Sequence, residues 1–232
     1  MTDYFAGSVA ERYDDGDYSS PEAVVPVVDF LEPLATGGAL ELAIGTGRIA
    51  LPLAARGVRV QGIDLSPDMV SQLRAKPGGA ELPVVIGDMT TTRADGSFSV
   101  AYLVFNTIGN LTSQDAQVAC FQNAAAHLAP GGVFVVELGV PNAAPLSVFH
   151  LGDTHAGIDE YDAATQRLVS HHFSLVNGAW ERLSIPFRSV SPAELDLMAR
   201  LAGMRLVERW AGWEREAFTA VSTSHVSVWV KE

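Results

Sequence analysis

The sequence predicts an α/β fold: a doubly wound, mostly parallel sheet that carries an antiparallel β-hairpin insertion. Three observations lead there. The apolar segment Ala39-Leu40-Glu41-Leu42-Ala43-Ile44 runs into Gly45-Thr46-Gly47-Arg48, a strand entering a glycine turn at the start of a helix. Strand and helix patterns then alternate as far as residue 138, which demands crossover connections and parallel pairing with both sheet faces covered. Past Gly139 the rhythm changes, and Asn177-Gly178 separates two alternating runs, a strong hairpin signal.

In chain order, residues 1–20 are polar yet hold Tyr4, Tyr13 and Tyr18 among Asp14, Asp15, Gly16 and Asp17, which suits a mobile lid better than a core element. A helix is expected over 21–34, with Ser20 as cap, Pro21 in its first turn and Pro26 placed to kink it. Residues 1–36 thus form an N-terminal lid and helix, and 37–232 the main domain with 140–190 as its insertion. Strands are expected over 39–44, 58–64, 83–86, 98–105 and 133–138, and helices over 48–56, 67–75 and 113–128. Gly57 ends the first of these helices, Ser66-Pro67-Asp68 caps the second, and Pro130-Gly131-Gly132 turns the chain into the strand that follows the third. Residues 140–165 are rich in Pro, His, Asp and Gly, while Arg167–Leu175 and Trp180–Val190 are the hairpin arms. Ser191-Pro192-Ala193-Glu194 reads as a capping box for a helix to Ala202, closed by Gly203, before strands over Met204–Arg209 and Val226–Lys231.

Composition narrows the function. The 232 residues suit one α/β domain, and 27 acids against 15 Lys plus Arg give a net charge of −12, so nucleic acid and anionic membranes are poor partners. The N-terminus has neither a basic region nor an apolar run, and the single cysteine, Cys120, lies in an apolar helix pattern, which together suit a reducing, cytoplasmic setting. Trp180, Trp210, Trp213 and Trp229 fall on or near late strands, where they are expected to pack a sheet face.

The glycine turn, read with Val58-Arg59-Val60-Gln61-Gly62-Ile63-Asp64, marks a nucleotide site. Asp64 follows Gly47 by 17 residues, close to the spacing of about 20 expected of an acid that binds ribose hydroxyls. Glu41 separates the candidate nucleotides: a carboxylate beside the turn repels a pyrophosphate and suits the ammonium and sulfonium of S-adenosylmethionine. Val84-Val85-Ile86-Gly87-Asp88-Met89 ends a short strand with a glycine permitting close approach, an acid able to accept from an adenine amino group and a thioether to lie on the ring. Asp88 is alternatively a turn residue and Met89 a core residue.

Glu41-x-x-x-Gly45-x-Gly47, Gly62-Ile63-Asp64-Leu65-Ser66-Pro67-Asp68-Met69, Gly87-Asp88-Met89 and Leu128-x-Pro130-Gly131-Gly132 together resemble the class I S-adenosylmethionine-dependent methyltransferases over about residues 40–140. The resemblance implies a sheet of seven strands with the last antiparallel, Gly45 and Gly47 against the methionine part of S-adenosylmethionine, Asp64 on the ribose, and Asp88 and Met89 framing the adenine. Leu65, Met69 and Phe105 complete the implied cofactor set. Ala43 stands where the family usually has its first glycine. The chain is also similar to small-molecule methyltransferases of bacterial secondary metabolism, amino-sugar N-methyltransferases among them. That likeness implies that Tyr13, and after it Tyr4, closes over the cofactor, and that 140–190 shapes an acceptor pocket or a homodimer surface; Tyr4 is counted with the acceptor contacts as well.

Acceptor contacts are expected where Phe105-Asn106-Thr107-Ile108-Gly109-Asn110 leaves the fourth strand, from Asn106 and Asn110, with Glu137 beside them; Asn106 is equally a loop cap. No metal is expected, because the late histidines lack a zinc-type spacing. His155 and His171 are the candidate general bases for an acceptor nitrogen or oxygen of a small molecule. His171 and His172, adjacent on a strand, point to opposite faces. Two other readings stand: an NAD-dependent oxidoreductase, since Gly45-x-Gly47-x-x-Ala50 fits the dinucleotide pattern, and a non-catalytic S-adenosylmethionine-binding subunit.

Overall fold

The computed structural model describes residues 3–232; Met1 and Thr2, the outer end of the expected lid, lie outside them. The N-terminal segment forms a single helical turn α1 (Ser8–Glu11) and two short 3-10 turns before α2 (Pro21–Leu31). Ser20 Oγ accepts from Ala23 N at 3.3 Å, so the expected cap is made, and Glu32-Pro33-Leu34 continues α2 as a 3-10 turn.

The alternation that follows is β1 (Ala39–Leu42), α3 (Ala50–Ala55), β2 (Val60–Asp64), α4 (Pro67–Arg74), β3 (Val84–Ile86), β4 (Phe98–Leu103), α5 (Gln114–His127) and β5 (Leu128–Gly139). After β6 (Leu146–Leu151), β7 (His155–Asp162), β8 (Arg167–Val176) and β9 (Ala179–Arg188) come α6 (Pro192–Leu201), β10 (Met204–Trp210) and β11 (Ser224–Lys231). Seven strands make the main sheet in the order β10-β11-β5-β4-β1-β2-β3, in which only β11 runs antiparallel to its neighbours. The reversal of strand order beside β1 places the tips of β1 and β4 at a topological switch point, where open α/β sheets bind ligands.

Both faces of this sheet are dry. Alternate residues of β4 divide between them, Ala101 and Leu103 packing under α5 and α6 with Phe121, Leu195 and Met198, and Val100 and Tyr102 packing under α2 and α3 with Val28, Phe30 and Leu53. Trp229 is fully buried against Phe121 and Phe134, whereas Trp180 is 55% exposed and packs no core face, contrary to expectation.

The hairpin forms as expected: β8 and β9 pair up to Val176 opposite Ala179, with Asn177 and Gly178 both at positive φ, as a two-residue primed turn requires. Two strands were not foreseen, because β6 and β7 lack an apolar alternation; they complete a second antiparallel sheet, β6-β7-β8-β9. Pro130-Gly131-Gly132 does not end a turn outside the sheet, but lies inside β5 as an irregularity between the Phe98 and Val100 pairings. The capping box is half made. Ser191 Oγ accepts from Glu194 N at 3.2 Å, while the Glu194 carboxylate is drawn off to Arg188 Nη2 at 2.6 Å, an ion pair that ties β9 to α6.

Gly62 shows how tightly β1 and β2 meet below the tips: a Cβ there would stand 2.4 Å from Ile44 Cδ1 and 2.7 Å from Ile44 Cβ. Gly62→Ala is expected to cost about 1–3 kcal/mol by overpacking, measured as a lower denaturant midpoint at unchanged slope.

Candidate functional site

β1 stops at Leu42 because Ala43 takes φ +55°, a left-handed conformation costing a residue with a Cβ about 1–2 kcal/mol. Gly45 and Gly47, at φ +56° and +75°, carry the turn on. A Cβ on Gly47 would meet Leu73 Cδ1 at 2.9 Å and Leu51 Cγ at 3.1 Å, so close packing of α3 and α4 alone demands this glycine. Asp64, at the tip of β2, holds the turn from the other side: Oδ2 accepts from Gly45 N at 2.6 Å and Oδ1 from Ser66 N at 2.8 Å.

These tips open into a cleft with about 120 Å3 of space for small molecules. Glu41, Ala43, Gly45 and Arg48 line it from the glycine turn; Asp64, Leu65, Met69, Asp88 and Met89 from the tips of β2 and β3; and Phe105, Thr107 and Asn110 from beyond β4. Pro186 of β9 reaches it from the second sheet, and Asp3, Tyr4, Phe5 and Tyr13 cover it from the N-terminal segment.

That cover is tied down at its far end. Asp14 accepts from Thr46 Oγ1 at 2.7 Å and pairs with Lys76 Nζ at 2.5 Å, and Arg48 Nη1 donates to Tyr18 O at 2.9 Å. The Tyr18 ring lies 4.7 Å from Phe105 and 5.4 Å from Tyr13, and the Arg48 guanidinium lies 5.2 Å from the Phe105 ring. Burial pushes the Tyr13 phenol well above its usual range.

Glu41 is 3% exposed. Its register partner on β4 is Tyr102, whose hydroxyl donates to Glu41 Oε2 at 2.9 Å. Burial outweighs that bond and the nearby Arg48 charge and pushes the carboxyl up to about 8. Asp64, 6% exposed, is also raised by burial, against its two backbone hydrogen bonds. Burial thus weakens the charge that the exclusion of phosphate at Glu41 relies on, and Arg48, passed over in the sequence as the start of a helix, puts a cation in the same cleft.

Of the residues singled out in the sequence, the cleft brings together Tyr4, Tyr13, Glu41, Ala43, Gly45, Asp64, Leu65, Met69, Asp88, Met89, Phe105 and Asn110. It does not include Gly47, or Gly87, where a Cβ would meet Thr92 Oγ1. Asn106 and Glu137 serve the backbone instead: Asn106 Oδ1 accepts from Gly139 N at 2.7 Å and Glu137 Oε2 from Phe105 N at 2.8 Å, pinning a loop in which Phe105 and Asn106 both have positive φ. Asp88 keeps its turn role as well, accepting from Thr90 N at 2.8 Å.

His155 and His171 lie in the second sheet, away from the cleft. His155 Nε2 is 3.2 Å from His172 Nδ1, and His171 faces Ser184 and Glu160 on the opposite side of β8. The sequence could not foresee this, because the docking of the second sheet decides which face of β8 meets the site. Among the described residues no three potential metal ligands converge, and no helix is long and apolar enough to cross a membrane.

A buried acid raised in the folded state binds more protons than the unfolded chain between its ordinary 4.5 and about 8, so it lowers stability as pH rises through that window. Glu41→Gln is expected to stabilise the ligand-free protein at pH 9 by about 3–5 kcal/mol and to change it little at pH 5, read from denaturation curves at the two pH values.

The profile of the methyltransferase domain family matches residues 39–132. Across 194 residues, 81% of this chain and 73% of the relative, the chain is 30% identical to the dTDP-3-amino-3,6-dideoxy-alpha-D-glucopyranose N,N-dimethyltransferase of Streptomyces fradiae. It is 31% identical to the dTDP-3-amino-3,4,6-trideoxy-alpha-D-glucopyranose N,N-dimethyltransferase of Streptomyces venezuelae over 67% of this chain and 62% of that one. Among solved structures, the CcbJ methyltransferase from Streptomyces caelestis superposes with a TM-score of 0.89 at 35% identity, covering all of both chains. The strand-tip cleft, the seven-stranded sheet and these relatives agree: the chain belongs to the S-adenosylmethionine-dependent methyltransferases, enzymes whose methyl donor is S-adenosylmethionine.

Proposed function

We propose that this enzyme methylates the amino nitrogen of a small molecule, an amino sugar by analogy with what its curated relatives are named for. One observation carries the choice of nitrogen. All six histidines, His127, His150, His155, His171, His172 and His225, lie outside the cleft, whose rim is aromatic; of the acids that line it, Glu41 and Asp64 are buried, while Asp3 and Asp88 are half-buried and already accept from Phe5 N and Thr90 N. A hydroxyl acceptor needs a base within hydrogen-bond reach as it attacks. An amine needs only to arrive neutral, and desolvation beneath Tyr4, Phe5 and Phe105 favours loss of its ammonium proton.

The donor set fits S-adenosylmethionine, which when bound supplies a methyl group already activated on a sulfonium. Glu41 would face the ammonium and Arg48 the carboxylate of its amino-acid end, Asp64 the ribose hydroxyls and Asp88 the adenine amino group, with Leu65, Met69 and Met89 as apolar walls. Thr107, Asn110 and Pro186 are left to orient the acceptor. The acceptor nitrogen's lone pair would take that methyl as its bond to sulfur breaks, and the proton of the methylated ammonium would go to water at the mouth. What the chain contributes is alignment at near-attack distance and exclusion of water by the Tyr4–Tyr13 cover.

A cytoplasmic setting and a lack of nucleic-acid partners belong to the same reading, supported by the buried thiol of Cys120 and the net charge of −12. A homodimer contact along the edge strand β6 is supported by its exposed Leu146, Val148 and Leu151.

Incubation with S-adenosylmethionine and dTDP-3-amino-3,6-dideoxy-α-D-glucopyranose is expected to add one or two methyl groups to the amine, read by mass spectrometry, with matching S-adenosylhomocysteine. Asp64→Ala is expected to weaken S-adenosylhomocysteine binding about tenfold or more. Transfer to oxygen alone, across a panel of amine and hydroxyl acceptors, would overturn the reading.

A further inference from the structure

α5 buries three polar side chains, Gln117, Asn123 and His127, at 0%, 2% and 3% exposure. An apolar helix would pack there at no desolvation cost, so the use made of these groups asks for a reason. None of them is spent only on its own helix. Asn123 Nδ2 donates to Met89 O at 2.7 Å and Thr92 O at 3.0 Å, and its Oδ1 is left buried without a partner. His127 Nε2 accepts from Ala94 N at 3.0 Å, a role fixed by Nδ1 donating to Asn123 O at 2.8 Å. Both serve residues 88–94, which have no regular secondary structure.

Gln117 lies six residues earlier, about 9 Å along the helix, and turns to the opposite wall. Its Nε2 donates to Ile108 O at 3.1 Å and Arg188 O at 3.3 Å, and its Oε1 accepts from Arg188 Nη1 at 2.5 Å. Ile108 sits between Thr107 and Asn110, which line the cleft, and Arg188 stands two residues beyond Pro186, which does too.

We infer that α5 positions the two walls of the cleft separately, Asn123 and His127 holding the Asp88–Met89 wall and Gln117 holding the Thr107–Asn110 wall with the end of β9. These are positioning residues: none lines the cleft. The inference rests on the proposed placement of the adenosine at Asp88 and Met89.

The test is calorimetric titration with S-adenosylhomocysteine, paired with native-state hydrogen exchange, on Asn123→Ala and Gln117→Glu; the latter keeps the bond to Arg188 and loses both donated ones. Asn123→Ala is expected to weaken binding about tenfold and speed exchange in 88–94 alone; Gln117→Glu is expected to leave binding within about twofold and speed exchange in 107–110 alone. Should Asn123→Ala fail to fold, His127→Leu takes its place, with recovery expected in His127→Gln, whose amide oxygen accepts from Ala94 N. Equal effects of the two variants on binding, or loosening of both walls by either, would reduce α5 to a core helix and overturn the inference. Asp88→Ala separates the two layers: unchanged affinity there rejects the adenosine placement itself, whereas weakened affinity there with none in Asn123→Ala rejects the role of α5.

Discussion

The cleft depends on two carboxyl groups buried at the carboxyl ends of adjacent parallel strands. Register sets Glu41 of β1 beside Gly62 of β2, two residues before Asp64, and Glu41 is left with a tyrosine hydroxyl while Asp64 takes two backbone N–H groups. In so desolvated a place a charge costs more than these bonds return, which is why both acids are raised. The fold does supply one guanidinium nearby, but Arg48 is engaged by the Tyr18 carbonyl and the Phe105 ring. In the proposed placement, a cation brought in by the ligand would offset that cost at Glu41, and an anion there would not.

The N-terminal segment is tied to the site by contacts of its own. Asp14 reaches Thr46 in the glycine turn, and Tyr13, Tyr18 and Phe105 form a run of rings from the cover to the tip of β4. The left-handed pair Phe105-Asn106 presents that ring, and the pair is held by bonds to Gly139 and Glu137 from β5. Strain in the β4 loop is thus balanced by the strand next to it, and the cleft inherits a fixed aromatic rim.

Much of this was legible in local pattern. The turn after β1, the acid ending β2, the Gly-Asp-Met run and the Asn177-Gly178 hairpin are encoded within a few residues, where turn chemistry and strand period decide the outcome. What escaped was set by distant contacts. β6 and β7 gave no strand signal of their own; β7 pairing with β8, and β6 with β7, makes them strands. His155 and His171 have the right chemistry for a base, yet the second sheet docks with neither at the cleft. Asn106 and Glu137 looked free to meet an acceptor until the neighbouring backbone claimed them. Arg48, Phe5 and Pro186 gave no local signal, since their place at the cleft follows from the cover and the second sheet closing on it.

The proposed placement of the ligand's ammonium at Glu41, whose carboxyl burial holds above its ordinary range, couples binding to loss of a proton. Calorimetry of S-adenosylmethionine binding at pH 7, in two buffers of different ionisation enthalpy, counts the protons exchanged. Proton release is expected from the native enzyme and almost none from Glu41→Gln. Binding without proton release, or equal release by both proteins, would contradict it.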